Sequence, residues 1–297
     1  MLIDLQLHSI YSDGYLNPTQ LIKLIKKQGV KVASLTDHNT ISGLEEFKKV
    51  AKKNNIKVIN GLELYVKYKR KKINLLWYNF DDHNETLLQL LKEIRHRRYL
   101  LCQNILFKLK RRSYKINIPK ILSEFEYYIP VNRLADKVLA TKFNYNLVVK
   151  NIRKKSKEKG KLFLLPREED ILNELFFNKK YGILNESYIN AERLLKIKKE
   201  VGGQIVFCHP GRYNKFSNNM TGKLKEIGLI DGIEVLSPHH SLGAVLYAQF
   251  LSEQLDLIAT GGSDFHRLEE GNYLMEKSWD WFKIDSKYLR KIDKIIK

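Results

Sequence analysis

The chain places histidine, aspartate and glutamate at the ends of short apolar runs, and does so repeatedly. The groups read Asp4-Leu5-Gln6-Leu7-His8, Ser12-Asp13-Gly14, Thr36-Asp37-His38, Gly61-Leu62-Glu63, Cys208-His209-Pro210 and Ser263-Asp264-Phe265-His266. Most follow a β-type run, such as Lys31-Val32-Ala33-Ser34-Leu35 or Gln204-Ile205-Val206-Phe207. Parallel strands that each deliver a ligand-type side chain at the C-terminal end bring those side chains together at one mouth of a barrel. Nitrogen and carboxylate donors gathered there suit divalent zinc or manganese. One histidine on an apolar face is usually an ordinary core residue, but four of them accompanied by Asp13, Glu63 and Asp264 are not explained that way.

The pattern around these groups predicts an α/β fold. Strands are expected at Leu2–Leu7, Lys31–Leu35, Lys57–Asn60 and Ile73–Phe80. Asn17-Pro18 supplies an N-cap and a first-turn proline for the helix between the first two, and Gly29 ends it. Ile41, Leu44, Phe47, Val50 and Ala51 recur at helical spacing before the third strand. Strand–helix alternation of this kind implies parallel strands with right-handed crossovers. From about Asn84 the strand signal fades and helical patterns follow, beginning with a basic one from Leu87 to Arg112. Alternation resumes with strands at Ile205–Cys208, Gly232–Leu236 and Leu257–Thr260, a helix from Leu242 to Gln254 joining the last two. The expected organisation is a barrel from residues 1–84 and 201–297, interrupted by a helical insertion over 85–200.

Composition narrows the classes. Apolar residues make up 43% of 297, ample for a core, and no apolar run approaches the ~20 residues that span a bilayer. Cys102 and Cys208 lie far apart without a CxxC, which speaks against a disulfide framework or a cysteine-zinc knuckle and for a cytoplasmic protein. The formal net charge of +20 either steers a phosphorylated substrate or reflects a general excess of lysine on a solvated surface. Its densest clusters are Arg95-His96-Arg97-Arg98, Lys110-Arg111-Arg112 and Arg153-Lys154-Lys155.

The order DxQxH, SDG, TDH, GLE, CHPGR and GSDFH resembles the PHP (polymerase and histidinol phosphatase) family of metal-dependent phosphoesterases. The likeness is greatest to the branch with a helical insertion that acts on nucleoside 3′,5′-bisphosphates and trims short RNA from the 5′ end. It implies a distorted (β/α)7 TIM-like barrel holding up to three divalent ions, manganese or zinc, with iron also possible. Carried over by position, it puts Gln6, His8, Glu63 and Asp264 at a first ion. Glu63, Asn74 and His209 fall at a second, and Asp13, His38 and His266 at a third. His8 and Gln6, two apart on a strand, share a face. Gln6 and Asn74 stand where the family usually has histidine, so two pockets are each one imidazole short. Amide oxygens are weaker ligands for zinc, which favours an oxygen-tolerant ion such as manganese.

The implied chemistry is phosphoester hydrolysis by metal-activated hydroxide, with no catalytic residue beyond the metal-bound water. Arg212 could clamp a phosphate or be an ordinary loop arginine. His240 could contact phosphate near the same mouth, support a ligand from behind, or be an ordinary loop histidine, and Arg133 stands close to where the resembling branch often has an Arg-Pro-His element. Cys208 precedes His209 on a strand and is expected in the packing layer on the opposite side. Tyr127-Tyr128 and Phe176-Phe177 are expected in the core rather than stacked on bases, and Trp77, Trp279 and Trp281 belong to no motif. The partner is then a phosphorylated small molecule or short nucleic acid, with no membrane. The alternatives are a degenerate metal- or nucleic-acid-binding protein without turnover, and a phosphatase for a metabolite such as histidinol phosphate.

Overall fold

The computed structural model describes residues 1–160, 162–163, 165–178, 182–213, 218–267 and 283–297, so Trp279 and Trp281 lie outside it. Among the described residues nine strands form one sheet in the order β8-β7-β6-β4-β3-β2-β1-β9, with β5 beside β3. They are β1 (Leu2–Leu7), β2 (Val32–Leu35), β3 (Lys57–Tyr68), β4 (Lys71–Tyr78), β5 (Ile189–Asn190), β6 (Gln204–Phe207), β7 (Gly232–Leu236), β8 (Ile258–Gly261) and β9 (Ile284–Asp285). The sheet curls until its ends nearly meet. Leu7 bridges Phe265 in the segment after β8, and His8 N–H donates to the Phe265 carbonyl at 3.0 Å. Ser263 N–H donates to the Asp4 carboxylate at 3.0 Å, tying the same two segments by a side chain.

Every residue of β2 and β8 is buried, and so is every residue of β1 after Leu2, as expected for strands covered on both faces. The helix α1 (Pro18–Lys27) starts in a full capping box, Asn17 accepting from Gln20 N–H while Gln20 accepts from Asn17 N–H. Gly29, at φ +80°, turns the chain toward β2. Helix α2 (Leu44–Lys53) buries Leu44, Phe47 and Ala51. The helix after β7 spans Leu242–Gln254, and no described helix is long and apolar enough to cross a membrane.

One expectation about strand direction fails. β3 and β4 form an antiparallel hairpin joined by a turn rather than a helical crossover, and β4 is antiparallel to β6 as well. The turn passes through Lys69 at φ +53°, a conformation usually taken by glycine or asparagine. A lysine there hides the hairpin from a reader of the sequence. The pairing also lengthens β3, carrying it eight residues past the expected end at Asn60 and through Glu63.

Between β4 and β5 the chain is helical, from α3 (Glu85–Lys110) onward. The chain divides into two compact units, Met1–Lys92 with Tyr188–Lys297, and Glu93–Ser187. The second unit has its own apolar core, including Cys102, Leu106, Leu109, Leu134, Val148 and Phe176. Tyr128 is buried there too, while Phe177 is exposed. Arg98, from one of the basic clusters, is wholly buried rather than on the surface. It pairs with Glu186 at 3.0 Å and donates to the carbonyls of Ile129 and Asn185.

Candidate metal centre

The ends of β1, β2 and β8, the middle of β3 and the turn after β6 send ionisable side chains to one place. His8 follows β1 and is fully buried. Its Nδ1 lies 3.5 Å from Asp13, and its Nε2 lies 3.3 Å from Glu63 and 3.1 Å from Asp264. His38 Nε2 and His266 Nε2 approach one oxygen of Asp13 at 3.3 and 3.1 Å. His209 Nε2 comes within 3.5 Å of Glu63 Oε1. Two donors each about 2.1 Å from one tetrahedral ion lie about 3.4 Å apart, and these separations cluster around that value. Both ring nitrogens of His8 and the Nδ1 atoms of His38 and His209 are buried without a hydrogen-bond partner. Nitrogens left this way among carboxylates fit a cation better than they fit one another.

Two aspartates in the motifs hold the frame rather than the centre. Asp37 accepts from Ser9 N–H and from the hydroxyls of Ser9 and Ser12, fixing the loop that carries Asp13. In that loop a Cβ on Gly14 would lie 2.3 Å from the His8 carbonyl oxygen, so only glycine lets the loop fold back so closely. Asp4 binds the N–H groups of Gln6 and Ser263.

The ionisation pattern follows the packing. Burial alone would raise Asp13, Glu63 and Asp264, yet the surrounding histidines hold all three below the usual carboxylate range. Burial alone would lower His8, His38 and His266, but Asp13 with Glu63 or Asp264 raises each above the ordinary histidine value. Burial, aided by the charges of Asp264 and Glu63, pushes Glu234 up, although His209 N–H donates to it at 2.6 Å. Beside the centre opens a cavity of about 550 Å³ lined by Asp13, His38, Glu63, Asn74, Asp264 and His266, together with Tyr65, His209, Arg212, Tyr213 and His239. That volume suits a small organic ligand.

Residues 4–176 match the sequence profile of the PHP domain. This chain belongs to the PHP domain family. Over 306 aligned positions it is 26% identical to a 3′,5′-nucleoside bisphosphate phosphatase of Chromobacterium violaceum, covering 98% of this chain and 99% of the relative. It is 27% identical to a 5′-3′ exoribonuclease of Haemophilus influenzae over 89% of each chain. A crystal structure described as a metal-dependent phosphoesterase from Bifidobacterium adolescentis shares its fold. The TM-score is 0.74 at 19% identity, covering 95% of this chain and 96% of that one.

Against the PHP pattern, the two amides behave differently from imidazoles. Gln6 Nε2 donates to Glu63 Oε2 at 3.0 Å and Asn74 Nδ2 donates to Glu63 Oε1 at 2.6 Å. A carboxylate can only accept, so both amides turn their N–H groups toward Glu63. Gln6 Oε1 is left buried without a partner. Asn74 is also held through its backbone, its N–H donating to the Tyr213 hydroxyl at 2.8 Å.

Two expected placements change. Cys208 is not in a packing layer behind the strand, because Sγ lies 3.2 Å from Gln6 Nε2 and 3.6 Å from Glu63 Oε1. β6 ends at Phe207 and His209 takes φ +24°, which breaks the alternation and turns Cys208 and His209 toward the same carboxylate. His240 is not among the residues that line the cavity, and both of its ring nitrogens are engaged. Its Nδ1–H donates to the Val235 carbonyl at 2.9 Å and its Nε2 accepts from Gly211 N–H at 3.1 Å, and burial holds the ring neutral. His239 lines the cavity instead, with Nε2 at 2.6 Å from Asp264 Oδ2. The adjacent His239-His240 pair gave no periodicity to choose between them. Arg212 lines the cavity, 4.0 Å from Asp264. Arg133 belongs to the other compact unit, on the helix Val131–Leu139, with its guanidinium 6.0 Å from the Phe125 ring.

Proposed function

We propose that this PHP protein hydrolyses a phosphate ester of a nucleotide, of the nucleoside 3′,5′-bisphosphate kind, or of a short oligonucleotide. The carrying observation is the packing of imidazoles and carboxylates at ligand spacing around unpartnered histidine nitrogens, beside a cavity with Arg212 on its wall. The donor atoms of His8, Asp13, His38 and His266 lie close enough together to hold one ion, and those of His8, Glu63 and Asp264 to hold another. Divalent ions bound there, manganese or zinc and up to three, would activate water and neutralise phosphoryl charge. Arg212 is placed to orient a phosphate through its planar fork. His239 holds Asp264 in position by its short contact. The net charge of +20 favours an anionic substrate, and the named relatives supply the nucleotide class. A cytoplasmic setting suits the two buried free cysteines.

The N–H orientation of Gln6 and Asn74 gives the second reading, a centre that binds metal or nucleic acid without turnover. A substrate panel decides between them. Adenosine 3′,5′-bisphosphate, a short 5′-phosphorylated RNA and histidinol phosphate are each assayed with manganese and with zinc. Phosphate release from one of the first two, lost in His38→Ala and Asp264→Ala, supports the proposal. Full activity in both variants, in protein freed of contaminating phosphatases, refutes the site. Salt-sensitive RNA binding with no hydrolysis under either ion supports the second reading.

A further inference from the structure

Resting on that reading, we propose that Cys208 is a sulfur ligand, so that one metal position is built from Cys208, Glu63 and His209. Their donor atoms lie within 4.8 Å of one another, and all three residues are buried. Sγ is 3.6 Å and His209 Nε2 is 3.5 Å from the same oxygen, Glu63 Oε1. His209 is 3% exposed and its other ring nitrogen has no hydrogen-bond partner.

Asn74 explains why sulfur is needed. Its N–H faces Glu63 at 2.6 Å, so the carbonyl oxygen that could ligate points elsewhere, and this position would otherwise hold only one carboxylate and one imidazole. Gln6 completes the case from the other side. One amide N–H goes to Glu63 at 3.0 Å and Nε2 also approaches Sγ at 3.2 Å, while the Sγ–H faces Glu63 Oε1 at 3.6 Å and Glu234 Oε2 at 3.9 Å, carboxylates that favour the thiol until a cation takes the place of its proton. The left-handed backbone at His209, φ +24° and ψ 58°, lets consecutive residues face one carboxylate. Such strain persists where surrounding structure enforces it, commonly at functional sites.

The chemistry of the set follows. A thiol that ligates a divalent ion gives up its proton, here to solvent, and the S–H bond is replaced by a bond to the metal. Thiolate with imidazole and carboxylate prefers zinc or ferrous iron over magnesium or manganese. The centre is therefore mixed. Asp13, His38 and His266 offer only nitrogen and oxygen, while the Cys208 position selects a softer ion.

X-ray absorption on the zinc-loaded full chain tests this, with Cys208→Ser and Cys102→Ser as variants. Wild type and Cys102→Ser should both show a sulfur shell at about 2.3 Å from zinc. Cys208→Ser should lose that shell while keeping nitrogen and oxygen neighbours. Zinc bound by wild type with nitrogen and oxygen alone overturns the sulfur ligand and leaves the phosphoesterase reading standing. A chain that retains no zinc, manganese or iron after loading overturns both. The wild-type spectrum is decisive even if the serine variant fails to fold.

Discussion

Asn74 donates to Glu63 across 2.6 Å, and that single hydrogen bond separates this centre from one built on imidazole at the same place. It satisfies half of a buried carboxylate without supplying a ligand. Asn74→His, and separately Gln6→His, should therefore tighten metal retention about tenfold or more, as an added ligand or its supporting shell commonly does. Competition against a chelator measures it, and unchanged retention in both variants would contradict the assignment.

His239 and His240 should separate function from stability. His239→Ala removes the 2.6 Å partner of Asp264 at the cavity wall, and we expect turnover to fall with little change in melting temperature. His240→Ala leaves the Val235 carbonyl and Gly211 N–H unpaired and should cost about 1–3 kcal/mol in denaturant unfolding. The reverse pattern would mean the two roles have been exchanged.

Chelator-stripped protein should lose stability as pH rises above about 6.5. His8, His38 and His266 all titrate above 6.5 in the folded chain, so their stabilisation is full below that value and disappears as pH climbs through the raised values. Glu234, raised by burial, acts in the same direction. Asp13, Glu63 and Asp264 are lowered, so their share is complete above the unfolded carboxylate values of 3.8 and 4.5 and is lost only in acid. Manganese or zinc should restore the melting temperature most at the alkaline end. A flat or rising melting curve for the stripped protein would contradict this sign.

Arg98→Met tests the second compact unit alone. The substitution leaves Glu186 and two carbonyls without their buried partner, and removing one member of such a pair destabilises by about 3–5 kcal/mol. Denaturant unfolding provides the measurement. A change under about 1 kcal/mol would show the pair to be far more solvated than its geometry indicates.

Much of the centre was legible because its candidate ligands are chemically unusual for their positions. His8, His38, Glu63 and Asp264 stand where an apolar neighbour would be expected, and the structure brings them together. What stayed hidden depends on backbone angles. Lys69 adopts a left-handed turn with no glycine or asparagine to mark it, so the β3–β4 hairpin passed for two strands of a parallel sheet. The same kind of angle at His209 overturned the alternation argument for Cys208. The choice of His239 over His240 rests on how the loop after β7 meets Gly211, a contact between segments distant in sequence. Arg98 looked like part of a basic surface because its partner, Glu186, lies far along the chain.

The most direct test joins metal content to turnover in one preparation. Protein purified without chelator is analysed for bound ions, then assayed for phosphate release from adenosine 3′,5′-bisphosphate and a short 5′-phosphorylated RNA with manganese and with zinc. Two or more ions per chain with release from either substrate is the predicted result, and it would make Gln6 and Asn74 tolerated replacements. One ion or none, with no release from either substrate, would contradict the account and leave a PHP fold that has given up its chemistry.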